Sequence, residues 1–522
     1  MMKTGPTACP PPFFEYALAS AWLDKNYLFM DRLWLDGDRI VAFAFYENPC
    51  TDVFVNLRPG YEALADEIVE YGETRMPRFG GEKTFLCPYR LYQPDPLATL
   101  EKGANHMTFD QITLPNGLRI IGERIPHFRS VSVGLWLGSG SQFETVEEAG
   151  VSHFLEHMVF KGTEKRTARQ IAEEMDAVGG QLNAFTAKEC TCFYAKVVDE
   201  HLPLAMDVIC DLATHPAFDP AEMAKEKGVV IEEIAMAEDT PEDLVHELIM
   251  LAHYGDQQIS RPILGTEESV SGCTRECLHG YWQKMYRPQN AVLAIAGNYE
   301  WDAVLDMANK LLGDWRAEGL DKLPCITRTA MPTILTKEKD IEQVHICLGY
   351  PALPMGDERN YDISIVNSVF GGAMSSRLFQ KIREESGMAY TVYSYPNAYT
   401  DTGMLSVYAA TNPETAVQVY QMIEAEAKAI AEGGMTEKEF AMAREQLKSG
   451  YILGLESTSA RMQSNGRRLL LMNTTRTESE TIDRINAVSC DAANALMKQM
   501  LTAPHSVALV GKGVETIAGK LG

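Results

Sequence analysis

The pattern of the 522-residue chain predicts a mixed α/β (α+β) protein. Two like-built domains stand behind a smaller N-terminal α+β segment. Three features carry this reading. From Met107 onward, short apolar runs of period two alternate with amphipathic helical stretches. A capped helix start, Phe218-Asp-Pro-Ala-Glu222, recurs at Met435-Thr-Glu-Lys-Glu439, offset by 217 residues. Residues 1–105 differ in character from both copies and end near Pro88, Pro94 and Pro96. The expected divisions are 1–105, 107–315 and 333–522, with Asp314 to Pro332 as a linker.

In the first segment, Leu33 to Tyr46 reads as a hairpin around Asp36-Gly37, Val53 to Leu57 as a strand, and Tyr61 to Glu73 as a helix. That order faintly resembles half of an acyl-CoA N-acetyltransferase-like domain. The phosphate-cradling loop of such domains, Arg/Gln-x-x-Gly-x-Gly/Ala, is missing, so the segment is read as a degenerate appendage without acetyl transfer.

The next stretch opens with strands either side of Asn116-Gly117, then Val131 to Leu137, which alternates as a strand with one buried face. A helix carrying His153 follows. Thr167 caps another that Gly179-Gly180 stop, and strands at Gln181 to Thr186 and Cys190 to Val198 precede a helix from His201 to Thr214. Asp219-Pro-Ala-Glu222 starts a long helix ending near Pro241, with a further helix over Glu242 to Tyr254. Arg287 to Gly297 supplies a strand. In the second copy, Val344 to Tyr350 and Met404 to Ala409 read as strands. At the same offset Glu226 faces Ala443 and Glu233 faces Gly450, so the copy has lost both carboxylates.

Composition narrows the function classes. A net charge of −25 argues against nucleic acid and anionic membrane surfaces. No apolar run approaches a membrane span, and Met1 to Pro12 lacks the continuous hydrophobic stretch of a secretory signal. Eleven cysteines without framework spacing fit reduced thiols in a cytoplasm. Cys190-x-Cys192 and Cys273-x₃-Cys277 lack partner pairs at finger-like spacing and read as structural thiols.

The informative stretch is His153-Phe-Leu-Glu-His157. On a helix, residues four apart share a face, so His153 and His157 present two imidazoles to one Zn²⁺. Glu156 lies between them in sequence, placed to take a proton from a zinc-bound water. Phe154, Leu155, Met158, Val159 and Phe160 mark the helix as largely buried, where unpartnered His and Glu are costly. A third protein ligand is expected on the helix after Asp219. There Glu226 and Glu233 share one face two turns apart, while Glu232 is rotated by about 100°. One of the pair is expected to bind the metal and the other to orient a ligand.

His153-x-x-Glu156-His157 with Glu233 resembles the pitrilysin-type (inverzincin, M16) zinc peptidases, in the branch of bacterial processing peptidases and the mitochondrial processing peptidase β subunit. Further matching stretches are Asn183-Ala-Phe-Thr186, Arg287-Pro-Gln-Asn290, Ser376-Arg-Leu-Phe379 and Arg383 to Tyr390. The resemblance spans about residues 107 to 520. It implies one zinc per chain held by His153, His157 and Glu233, with Glu226 in support and Glu156 as general base. Asn183, with Ala184 beside it, would hold the substrate backbone. Arg383 and Tyr390 would complete the site across the cleft from the second domain. The implied architecture is two metallopeptidase-type domains forming half of a clamshell. A second chain would close it, as a homodimer or a heterodimer with a metal-free homologue, around a peptide or an unfolded segment. The alternative is a non-catalytic, structural or peptide-holding relative. Such relatives lose ligands, whereas here every position is filled.

Overall fold

The computed structural model describes residues 32–36, 39–46, 52–57, 84–86, 109–316 and 328–521. The chain divides into a unit of residues 1–105 and a unit of residues 106–522. In the first, β1 (Arg32–Asp36), β2 (Arg39–Tyr46), β3 (Asp52–Leu57) and β4 (Thr84–Leu86) form a four-stranded sheet in that order. The β1–β2 pair is antiparallel, as the hairpin pattern predicts. The helix expected over 61–73 and the proline-rich end of the segment lie outside the described residues.

The larger unit holds two sheets. The first comprises β5 (Asp110–Thr113), β6 (Arg119–Arg124), β7 (Ser130–Leu137), β8 (Gln181–Thr186), β9 (Thr191–Val198) and β10 (Ala291–Gly297), ordered β5-β6-β10-β7-β9-β8. The second comprises β11 (Ile334–Glu338), β12 (Val344–Ala352), β13 (Ala389–Ala398), β14 (Gly403–Thr411) and β15 (Ser506–Gly511), ordered β11-β15-β12-β14-β13. Without β5 the two orders correspond strand for strand. In each, the last strand of the copy runs parallel to the first (β10 to β6, β15 to β11) and every other pair is antiparallel. The repeat read from the helix starts is therefore also a repeat of topology.

Helix α1 (Val151–Val159) follows β7, and α2 (Pro220–Asp239) with α3 (Pro241–Tyr254) leads toward β10. In the second copy, α4 (Glu437–Gly454) and α5 (Thr458–Met472) take the places of α2 and α3. The N-caps Asp219 and Thr436 are 217 residues apart, and so are Thr240 and Ser457. The third and fifth helices are exchanged between copies. Ile249 of α3 packs against Cys347, Tyr408 and Val510 of the second sheet, while Met462 and Leu469 of α5 pack against Trp136 and Val292 of the first. Each sheet thus buries one face on its own helices and the other on a helix from its sister. Apolar residues on both faces of β7 are what this requires, and seven of its eight residues are buried. The approach is close enough that a Cβ on Gly466 would lie 2.2 Å from Trp136 Nε1.

The pattern reading places no element between Pro262 and Arg287. The structure has helices Glu267–Gly272 and Arg275–Met285 there, and another at Trp301–Leu312. Thr266 and Thr274 cap the first two through their side chains, and Val270, Leu278, Tyr281 and Met285 anchor them in the core. Their apolar positions are sparse in sequence, and glycines at 272 and 280 mask the helical period. No helix among the described residues is long and apolar enough to cross a membrane.

Candidate metal centre

Helix α1 begins where Gly150 adopts a left-handed φ of 83° with no side-chain cap of its own. The cap comes from the acidic loop before it. Glu144, fully buried, accepts hydrogen bonds from Gly150 N (2.7 Å) and Ser152 N (2.8 Å). Its carboxylate meets the positive end of the helix dipole and satisfies two of the amides that a helix start leaves unbonded. Burial raises the Glu144 pKa, and these bonds oppose the rise. Phe154, Leu155, Met158 and Val159 are buried in the core, which fixes the rotation of α1. His153, Glu156 and His157 are left facing α2 and β8.

On α2, Asp219 accepts from Ala221 N and Glu222 N, and Pro220 fills the first turn. The helix then holds Glu226 buried and Glu233 half-buried, while Glu232 is exposed, as the helical rotation predicts. His153 Nε2 lies 3.2 Å from His157 Nε2. Glu233 Oε2 lies 3.4 Å from His157 Nε2 and 3.7 Å from His153 Nε2. Among the described residues these three form the one group of His, Cys, Asp and Glu side chains with ligand atoms converging to metal-binding distances.

The donor set fits zinc. Ligand atoms about 2.0–2.1 Å from a tetrahedral ion stand about 3.3 Å from one another, close to the separations found here. Burial, and then the neighbouring His157, push the His153 pKa down to about 4, which keeps the ring neutral, as a metal ligand must be. On its far side His157 Nδ1 meets Glu226 Oε1 at 2.9 Å, and Lys161 Nζ pairs with Glu226 Oε2 at 2.7 Å. A carboxylate there sets the tautomer that points Nε2 at the metal position.

Glu156 stands beside this cluster without joining it. Thr186 Oγ1 donates to its Oε2 at 2.6 Å. Burial raises the Glu156 pKa, opposed by Thr186 and by His157. Alternation along β8 puts Thr186 on the same face as Ala184, toward α1, and Asn183 on the other. Asn183 is exposed and its Oδ1 accepts from Ala184 N at 2.8 Å. Arg383 stacks over the rings of Phe379 and Tyr390 at 4.7 and 4.8 Å, and Tyr390 is 77% exposed. Among the described residues, neither Arg383 nor Tyr390 makes a hydrogen bond, ion pair or ring contact with His153, Glu156, His157 or Glu233.

Three contributors escape the motif reading: Glu144, Lys161 and Thr186. Period-two alternation along β8 would have found Thr186. Lys161 sits one turn beyond His157, within reach of the same carboxylate. Glu144 carries no local signal, because it caps a helix from outside it. Cys190, Cys192 and Cys273 are buried, Cys277 is half-buried, and all four are free thiols.

Comparison with known proteins extends these observations. Residues 119–267 match the model described as insulinase (peptidase family M16), and residues 272–447 match the one described as the peptidase M16 inactive domain. The chain is 44% identical over 76% of its length, and 97% of the relative's, to the uncharacterized zinc protease YmxG of Bacillus subtilis. It is 40% identical, over 79% of its length and 93% of the relative's, to an uncharacterized zinc protease of Mycobacterium leprae. A protease from Helicobacter pylori superposes with a TM-score of 0.73 at 18% identity, over 77% of this chain and 99% of that one, and shares its fold. A peptidase M16 inactive domain from Pseudomonas fluorescens gives the same score at 16% identity over 78% and 98%. With the paired imidazoles and the facing carboxylate already in place, these matches show that the chain belongs to the M16 (insulinase) peptidase family.

Proposed function

We propose that the protein is a zinc-dependent endopeptidase that hydrolyses peptides or unfolded segments. The observation that carries this reading is the convergence of His153, His157 and Glu233, with Glu156 held beside them by Thr186. The three converging side chains would hold the ion. Zinc, when bound, supplies a Lewis acid that makes water more acidic and polarises a carbonyl. Glu226 keeps Nε2 of His157 turned to the metal position. Glu156, anchored through Oε2, takes a proton from the attacking water and returns it to the departing amine. Asn183 and Ala184, on the strand that carries Thr186, are assigned to the substrate backbone. Arg383 and Tyr390 are assigned to the developing oxyanion, brought up from the second copy when substrate is enclosed.

In this reading residues 107–315 are the metal-binding domain. Residues 333–522 are its metal-free counterpart, with Ala443 and Gly450 at the positions of Glu226 and Glu233. Residues 1–105 are an appendage. Two chains close the chamber, a homodimer first and a heterodimer with a metal-free homologue second, in the cytoplasm. The match of residues 272–447 to an inactive-domain model favours one other reading, a peptide-holding member without turnover. A quenched-peptide library separates the two. Chelator-sensitive cleavage restored by zinc supports the peptidase, and binding without cleavage by the zinc-loaded chain supports the holder.

A further inference from the structure

We propose that the cavity beside Arg468, at the seam between the two copies, binds a phosphate-type oxyanion. Two adjoining cavities of 180 and 290 Å³ share a wall made by Ser464, Arg468 and Arg476. Arg476 Nη1 donates to Tyr361 Oη at 3.1 Å, and Arg468 lines the same cavity as both. Arg476 has a counterion, donating to Glu358 Oε1 at 2.6 Å. Among the described residues Arg468 forms no ion pair, although it is half-buried. A cation in that state lacks the acceptor that an oxyanion provides in fork geometry. Burial, and then Arg476, pull its pKa below the usual arginine value, in keeping with an uncompensated charge.

The surroundings leave room for a ligand. Gly450 and Gly454 line the smaller cavity, and a Cβ at either would enter open space. Phe109 and Leu455 give the same cavity an apolar side. In a chain of net charge −25, residues 461–484 hold five arginines, of which Arg461, Arg476 and Arg484 are ion-paired with Glu123 or Glu358.

The repeat supplies an internal control. At the 217-residue offset, Arg461, Asn465 and Arg468 correspond to Leu244, Leu248 and Leu251. Those leucines line an apolar groove of the first copy. Arg461 and Asn465 are accounted for by the buried Glu123 of the first sheet, to which both donate. Among the described residues Arg468 has no such partner, and its counterpart Leu251 shows that this position does not demand a cation for packing.

The test is titration of the full chain with inorganic phosphate, followed by ³¹P line broadening and by calorimetry, against chloride at matched ionic strength. Saturable phosphate binding that chloride does not mimic is expected. Arg468→Leu, which installs the residue of the first copy, should weaken it roughly tenfold or more, and Arg468→Lys should weaken it less because the charge remains while the fork is lost. If the leucine variant does not fold by circular dichroism, Arg468→Gln gives the same reading. Tighter binding of phenyl phosphate would mark a phosphomonoester as the ligand, and equal affinity free phosphate; both support the site. Absence of saturable binding to the wild type, or wild-type affinity in a folded Arg468→Leu or Arg468→Gln variant, would overturn it.

Discussion

Thr186 donates a 2.6 Å hydrogen bond to Glu156, and this bond ties the edge strand of the first sheet to the helix that carries both imidazoles. Thr191 Oγ1 donates to Ser139 O at 2.9 Å, which leaves the Thr186 hydroxyl proton to Glu156 alone. A carboxylate pinned at one oxygen has one orientation in which the other meets a proton.

Removing that hydroxyl should therefore slow turnover and leave the metal in place. A hydrogen bond to a charged group contributes about 1.5–3 kcal/mol, so Thr186→Val should lower kcat roughly ten- to a hundredfold. KM and zinc content should stay near wild type, and Thr186→Ser should recover most of the rate. Steady-state kinetics on a cleavable peptide, with metal analysis of the same samples, check this. Equal rates in Thr186→Val and wild type would remove Thr186 from the mechanism.

Glu226 acts one step further out. Its Oε1 meets His157 Nδ1 at 2.9 Å and its Oε2 pairs with Lys161. Glu226→Gln should weaken zinc binding roughly ten- to a hundredfold, the range for partners that orient a metal ligand. Lys161→Met should weaken it less. Competition with a chelator of known affinity measures both, and unchanged affinity in Glu226→Gln would contradict the role.

The exchange of α3 onto the second sheet carries a pH signature. His253 of α3 is fully buried, with Nδ1 3.0 Å from Ser506 Oγ of β15. Burial pushes its pKa from 6.5 down to about 4. Between those values the unfolded chain binds a proton that the folded chain does not. Stability from this residue is thus complete above pH 6.5 and falls as pH drops toward 4, by about 3 kcal/mol in all. Urea unfolding at pH 7 and pH 4.5 should show a smaller loss in His253→Gln than in wild type. An identical loss in both would place the titrating group elsewhere.

The reciprocal contact of α5 with the first sheet can be probed at Gly466. A methyl group there meets Trp136 Nε1 at 2.2 Å, so Gly466→Ala should destabilise by about 1–3 kcal/mol, although alanine is the better helix former. A stabilised variant in thermal denaturation would contradict the packing described.

Much of this was legible in the chain. The period of β7, the caps at Asp219 and Thr436 and the spacing of His153, Glu156 and His157 are local signals, and the structure follows them. The motif alone left Glu226 and Glu233 as alternatives, because both lie on one helical face; in the structure Glu226 meets His157 Nδ1 and Glu233 lies by Nε2. The exchange of α3 and α5 was not legible. Each is an ordinary amphipathic helix, and nothing local says which sheet it covers. The helices at 267–272 and 275–285 were hidden for the opposite reason, since their caps are clear but their apolar positions are few. Glu144 acts on a helix six residues away, and only the fold brings it there.

Zinc stoichiometry in four purified variants tests the arrangement as a whole. His153→Ala, His157→Ala and Glu233→Ala should each lose the ion, whereas Glu156→Gln should retain one zinc per chain and lose peptide cleavage. Full zinc occupancy in Glu233→Ala or His157→Ala, or normal cleavage by Glu156→Gln, would show that the metal or the proton transfer resides elsewhere.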